Sequence, residues 1–425
     1  MSEAEVTIPA AATAAMPGEE AAAGTRNPFT SPRYRQWLTA SIISAGGVGI
    51  TNVTVPLFIR DRVSEDLRAI AIAAALISLT LPGALLTLVG GTFADRIERR
   101  RILVRTYSVA AMVSVAYVLL SAFDAGFIWP VFFLSAIVGA CNAFGQPARQ
   151  SMLPHIVSRT QLQNGVIFGM MGFMAMLQFL GPTIGGLLAD LAGLTTAFSV
   201  EVVLLFIAAF VFSRIVTEQP PPTGRSVLND LVGGLRYVRS HTAILGLLCL
   251  GAIPGIFFIG PFAVTIPLVV PDILERSDKW VGILAGCFGA GVVIGSIILA
   301  IRPIPRRGLA ILYSCVAGGA VLVVYGLSDA LLLSMATLFV WGLGASVFIN
   351  YAATLIQENT DPAVMGRVMS MYFLSFQLSL PIGYALSGVL VSVFGIREAL
   401  IGNGVVAIVI GALCLIFLRE VRAIR

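Results

Sequence analysis

Charge is what this chain has least of. Only 12% of its 425 residues are Asp, Glu, Lys or Arg, against roughly a quarter in soluble proteins, while 57% are hydrophobic and mean hydropathy is +0.93. That composition excludes a water-soluble globular fold and leaves no room for a separate catalytic domain. Histidine is nearly absent, with His155 and His241 alone. The five cysteines (Cys141, Cys249, Cys287, Cys315, Cys414) all sit inside apolar runs without metal-ligand spacing and are read as packing residues. No metal and no cofactor is expected. A G-x-x-x-x-G-K-[ST] loop is missing, so the chain does not itself hydrolyse ATP. The opening residues lack a basic stretch followed by an apolar core, which excludes a cleaved signal peptide; residues 1–35 read as a flexible cytoplasmic tail.

What the chain does have is long apolar runs, far longer than the strands of an outer-membrane barrel. They fall near residues 36–59, 68–92, 102–122, 127–146, 163–188 and 194–213, and again near 241–270, 279–300, 309–327, 330–356, 366–394 and 397–418. The expected fold is therefore all-α, with twelve transmembrane helices in two six-helix bundles, 36–213 and 241–418. Residues 214–240 carry a proline run, charges and a short amphipathic stretch, and read as a cytoplasmic linker; 419–425 form a C-terminal tail. With both termini inside, twenty-one of the 27 Lys and Arg fall in cytoplasmic segments and six in external loops, as the positive-inside rule requires. That bias and anionic lipid account for the pI near 9.1, so nucleic acid is not needed as a partner.

The two halves repeat. A shift of about 204 residues places Gly91 on Gly295, Gln146 on Asn350 and Gln150 on Thr354. Parallel six-helix halves around a linker are the architecture in which one half rocks against the other to expose a midplane cavity alternately to each side.

Three motifs give this architecture a family. Residues 91–103 read GTFADRIERRRIL, between the second and third runs. Gly91, Ala94, Asp95, Arg96, Arg99 and Arg100 resemble the loop 2-3 signature of the major facilitator superfamily; Phe93 and Glu98 depart from it, and Glu98 is similar to the branch that holds enterobactin exporters and macrolide efflux proteins. Asp95 would lie at the electronegative C-terminal end of its helix, a poor place for a carboxylate unless it is paired, which suits a gate. Gly181, Pro182, Gly185 and Gly186, in GPTIGG, resemble the core of the fifth-helix motif of the exporter branches, though its upstream glycines are replaced. The face carrying Gln178, Gly181 and Gly185 is expected to pack tightly and shape the cavity. The loops PARQSMLPHIV and LIQENTDPAVMGRVMS, with LNDLVGGLRYVRSHTAIL before the seventh run, complete a resemblance that runs from about residue 30 to 420.

Polar groups facing lipid are costly, so polar stripes mark a cavity or a helix contact. Asn142, Gln146 and Arg149 share one face of the fourth helix, and Asn350 and Thr354 one face of the tenth. Asn52, Gln178 and Gln377 are further lining candidates. Glu201 is the one carboxylate well inside a span, and coupling proton movement to substrate movement requires a carboxyl that changes state near neutral pH. It is the candidate proton site. Asp124 and Asp190 are expected at helix ends, in water. The resemblance implies a secondary active exporter, a proton antiporter of small amphipathic organic molecules such as drugs, siderophores or secondary metabolites, working as a monomer in the lipid bilayer of the bacterial inner membrane. Movement of lysophospholipid or another lipid, or uncoupled facilitation, is the alternative. An intramembrane enzyme would need clustered histidines, aspartates or a nucleophile with a base, and these are missing.

Overall fold

The computed structural model describes residues 27–94, 98–124, 126–215, 238–239, 241–361 and 364–424. Among them, twelve helices are long and apolar enough to cross a membrane. They are α1 (Pro32–Arg60), α2 (Glu65–Ala94), α3 (Arg99–Ala122), α4 (Trp129–Met152), α5 (Arg159–Ala192), α6 (Leu194–Ser213), α7 (Thr242–Asp272), α8 (Lys279–Ile301), α9 (Arg307–Gly326), α10 (Leu331–Glu358), α11 (Met365–Phe394) and α12 (Ile396–Phe417), with a short α13 (Arg419–Ala423) behind them. No strand occurs among the described residues. Ser31 lies beside Ile156, Arg99 beside His155 and Gly308 beside Ile424, and the side that holds the described ends of the chain is here the termini side; the 1-2 and 7-8 connections, tied by Arg60 to Asp278 and Arg68 to Asp272, lie on the other, the far side.

Helix starts follow their caps. Ser31 Oγ accepts from the Tyr34 amide at 3.3 Å and Pro32 supplies a preset φ, so α1 begins four residues before the apolar pattern does. Pro147 does not stop α4, which continues to Met152 and carries Arg149 inside the helix. α5 and α7 each contain one π-helical turn, Met176–Leu180 and Gly255–Ile259. These turns interrupt the repeat, because they fall on the fifth helix of one half and the first of the other. Each inserts a residue and turns the faces beyond it.

Helices α1 to α6 pack on one another, as do α7 to α12; the halves meet chiefly through α2 with α11 and α5 with α8, with smaller contacts from α7 to α1 and α2. Both joints are made toward the far side, where Gly388 of α11 meets Ala69 and Ala73 of α2. Side chains would not fit at the α5–α8 crossing: a Cβ on Gly186 would stand 2.7 Å from the Gly282 backbone nitrogen. The same closeness holds inside the second half, where a Cβ on Gly383 would run into the Gly255 carbonyl oxygen. Large apolar side chains left on the outside, such as Trp129, Leu191, Leu332 and Phe417, suit lipid.

Gly383→Val is expected to cost about 1–3 kcal/mol of overpacking and to lower the apparent melting temperature in detergent. Gly344→Ala, where an added Cβ meets nothing within 4 Å, should leave it unchanged or slightly raised. Equal melting temperatures for the two variants would contradict the close α7–α11 crossing.

Candidate functional site

Glu201 stands near the middle of α6 and is 1% exposed. Its Oε1 accepts from Ser114 Oγ of α3 at 2.5 Å, and its Oε2 has no hydrogen-bond partner. Ser114 Oγ also lies 3.0 Å from the Ala110 carbonyl oxygen. One hydroxyl proton cannot serve both acceptors. With Glu201 ionised, Ser114 donates to it; with Glu201 protonated, the carboxyl donates to Ser114 and the hydroxyl turns to Ala110. The same three atoms therefore accommodate both protonation states without moving the helices.

A small cavity adjoins this pair, walled by Val48 and Thr51 of α1, Thr106 and Tyr107 of α3, Asn142 of α4 and Glu201 itself. Its volume, about 10 Å³, is close to what one water requires and too little for an organic cargo. It lies within the first half rather than between the halves.

Further toward the termini side, Arg149 is 1% exposed. Nη2 donates to Gln146 Oε1 at 3.1 Å, while Nε and Nη1 have no acceptor. The guanidinium lies 3.7 Å over the Phe173 ring of α5 and 5.9 Å from Trp37 of α1, whose indole N–H donates to the Arg149 carbonyl oxygen at 3.1 Å. Gln146 and Asn142, on the same α4 face, are half-buried. Asn142 joins Glu201 on the small cavity, and Gln146 joins Arg149.

The remaining lining candidates are spread out. Asn52 and Gln178 are exposed and Gln377 is half-buried. Gln178 does not share the face of Gly181 and Gly185: those glycines press on Gly49 and Ile50 of α1, whereas the Gln178 carbonyl faces Gly289 of α8. The π turn that ends at Leu180 separates them, and α-helical spacing could not foresee it. Gly186 and Pro182 are buried toward Gly282. Asn350 is exposed and donates to Ser296 Oγ at 2.9 Å and to the Ser346 carbonyl at 2.7 Å; half-buried Thr354 donates to the Asn350 carbonyl.

In the loop 2-3 motif, Gly91 belongs to the last turn of α2, and Asp95 and Arg96 lie outside the described residues, as do residues 1–26 and 216–237. Glu98 stands at the N-cap position of α3, where its carboxylate makes no cap bond but pairs with Arg100 at 2.9 Å and Arg101 at 2.7 Å, an acidic group at a positive helix end. Arg99 Nη1 lies 2.9 Å from His155 Nδ1, which ties the motif to the end of α4.

The far side carries a feature that the sequence pattern did not disclose. Arg60, at the end of α1 and 8% exposed, donates from Nη1 to Asp278 Oδ1 at 2.8 Å and to the Pro267 carbonyl at 3.3 Å, from Nη2 to Asp278 Oδ2 at 3.1 Å, and from Nε and Nη2 to Asp61. Every N–H of this guanidinium has an acceptor, and the bonds to Asp278 and Pro267 cross between the halves. Asp190, expected in water, is instead largely covered and lies 3.7 Å from Lys279, again across the halves. Asp124 does reach water and pairs with Arg62. The signal for Arg60 was there: it closes an apolar stretch, VTVPLFIR, without a break.

Two sets of six packed spans, joined at one side by ion pairs and close glycine crossings, define a membrane transporter of the major facilitator type. The family model described as "Transmembrane secretion effector" matches residues 23–424, and the chain belongs to that family. It is 23% identical over 401 residues to the enterobactin exporter EntS of Escherichia coli O1:K1 / APEC, covering 93% of this chain and 94% of that protein. Among solved structures, the fold is similar to a bacterial homolog of the human lysosomal transporter Spinster in an inward-facing, occupied conformation, with TM-score 0.73, 14% identity and coverage of 91% and 97% of the two chains. It is also similar to the nucleoside transporter NupG, with TM-score 0.69, 13% identity and coverage of 90% and 99%.

Loss of the cross-half bonds should free the far side. In Asp278→Asn, spin labels at exposed positions 64 and 277 are expected to gain a longer-distance population, in line with removal of charged hydrogen bonds worth about 1.5–3 kcal/mol each. An unchanged distance distribution would mean that Arg60 does not hold the two halves together.

Proposed function

We propose that the chain is a proton-driven exporter of small amphipathic organic molecules in the bacterial inner membrane, with both termini cytoplasmic. On this reading residues 36–213 and 241–418 move as two bodies about the linker, and the conformation closed by Arg60 and Asp278 on the far side is the one that opens toward the cytoplasm. The arginine bias of the termini side supports the orientation.

The observation that carries the proton assignment is the Glu201–Ser114 pair. A carboxyl that lies within a span, with one oxygen partnered by a hydroxyl able to donate or accept and the other unpartnered, has a low-cost route between its two protonation states. In antiport, Glu201 takes a proton from the external side when the halves open outward and releases it inward as the next cargo loads. Cargo cannot use the small cavity beside Glu201, so coupling passes through α1, α3 and α4, which wall it, to the space between the halves.

The test is flux in proteoliposomes under an imposed pH gradient, with a fluorescent amphipathic cation and a ferric siderophore as probes. Wild type should transport at least one of them in response to the gradient, and Glu201→Gln, fixed in a neutral form of the same shape, should lose that response by at least about tenfold. Gradient-driven flux that persists in Glu201→Gln would reject the proton assignment and favour an uncoupled facilitator. Flux of a fluorescent lysophospholipid alone, indifferent to the gradient, would favour a lipid-moving role.

A further inference from the structure

The two buried guanidinium groups of the first half are in opposite circumstances. Arg60 has an acceptor for every N–H, two carboxylates and a carbonyl among them. Arg149 has one, the amide oxygen of Gln146, and is left with Nε and Nη1 unmade at 1% exposure. A cation removed from water without a counter-ion is among the most costly arrangements a protein can hold, and the faces of Phe173 and Trp37 offset only part of that cost. Tyr107 of α3 is within electrostatic reach of Arg149 and brings a hydroxyl, not a charge.

Phe173, which covers one face of the guanidinium, sits three residues before the π turn of α5, and the segment it belongs to rests on α1 through glycines: a Cβ on Gly169 would meet the Trp37 ring at 2.7 Å, and one on Gly172 would meet Ile42 at 3.0 Å. A shift of this segment of α5 away from α1 during the proposed transport cycle would uncover Arg149. Gln146, half-buried, stands at the rim.

We infer that Arg149 is the docking point for an anionic group, a carboxylate, phosphate or similar oxyanion, on an amphipathic ligand whose apolar part lies against Phe173 and Trp37. The inference rests on the reading of the chain as a transporter of small amphipathic molecules and narrows that class to anions. A free solute and the headgroup of an anionic lipid share this chemistry.

Equilibrium binding to the purified full-length protein tests it without any gradient, so the outcome is independent of proton coupling. The probes are 2-naphthoate and its neutral isostere 2-naphthamide, titrated calorimetrically in a neutral detergent. Wild type should bind naphthoate at least about tenfold more tightly, the scale of one hydrogen bond to a charged group. Arg149→Gln should erase that preference while keeping affinity for the amide, and Arg149→Lys, which keeps the charge, should retain part of it. Arg149→Lys also serves as the reading if Arg149→Gln does not fold. Addition of phosphatidylglycerol separates the sources: displacement of naphthoate marks a lipid headgroup as an occupant, whereas indifference marks a solute site, and both support the anion site. Equal binding of acid and amide by wild type, or an anion preference that survives in Arg149→Gln, would overturn it. Wild-type flux that ignores the gradient, or gradient-driven flux that persists in Glu201→Gln, with the anion preference intact would reject the coupling mechanism and leave this site standing.

Discussion

The hydrocarbon core offers no water to a polar group, and the rest of this structure follows from that constraint. Backbone groups are satisfied within helices, hydroxyls turn back onto carbonyls of their own helix, and glycines let neighbouring helices touch. Thr54, Thr80, Thr265 and Ser387 each donate to the carbonyl four residues earlier and so disappear as polar surface. Against that background the exceptions stand out. Among the described residues, Glu201 Oε2, Arg149 Nε and Nη1 and Ser41 Oγ are buried within the first half without partners, as are Arg62 Nε and Arg68 Nε near its far side and Tyr325 Oη in the second half; the first two belong to the groups on which the functional reading depends.

The halves divide the work unequally. The first half carries the buried carboxyl and the unpaired guanidinium, in a polar interior lined by α1, α3, α4 and α6. The second half instead carries a cluster of rings: Phe258, Phe262, Phe288 and Trp341 stand with centroids 5.3 to 6.0 Å apart across α7, α8 and α10. The bonds of Arg60 to Asp278 and Pro267 join the two halves on the face where their helices already touch, and on the proposed function they set which side cargo meets.

The number and order of spans were legible from apolar run length, and most boundaries lie within a few residues of the pattern. The larger misfits have local causes. A capped proline start extends α1 backward to Pro32, and a proline that α4 tolerates carries that helix on to Met152. Glu201 was legible because a carboxylate in an apolar run is rare. Ser114 was not, since a serine in such a run is ordinary and only the α3–α6 packing makes it a partner. The grouping of Gln178 with Gly181 and Gly185 failed because side-chain direction was inferred from unbroken α-helical spacing, and the π turn adds a residue between them. Arg149 was read as one of a polar stripe; its burial between Phe173 and Trp37 depends on α1 and α5, which no pattern within α4 can report.

Glu201 as a carboxyl that changes protonation state within the span is the central claim, and infrared difference spectroscopy of the protein in lipid addresses it most directly. On a pH step, wild type should show the carbonyl stretch of a protonated acid appearing on acidification and vanishing on return, at a frequency lowered by the Ser114 bond, and Glu201→Gln should lack that band while keeping the rest of the spectrum. A wild-type spectrum without a reversible acid band, or one whose band persists unchanged in Glu201→Gln, would contradict the account.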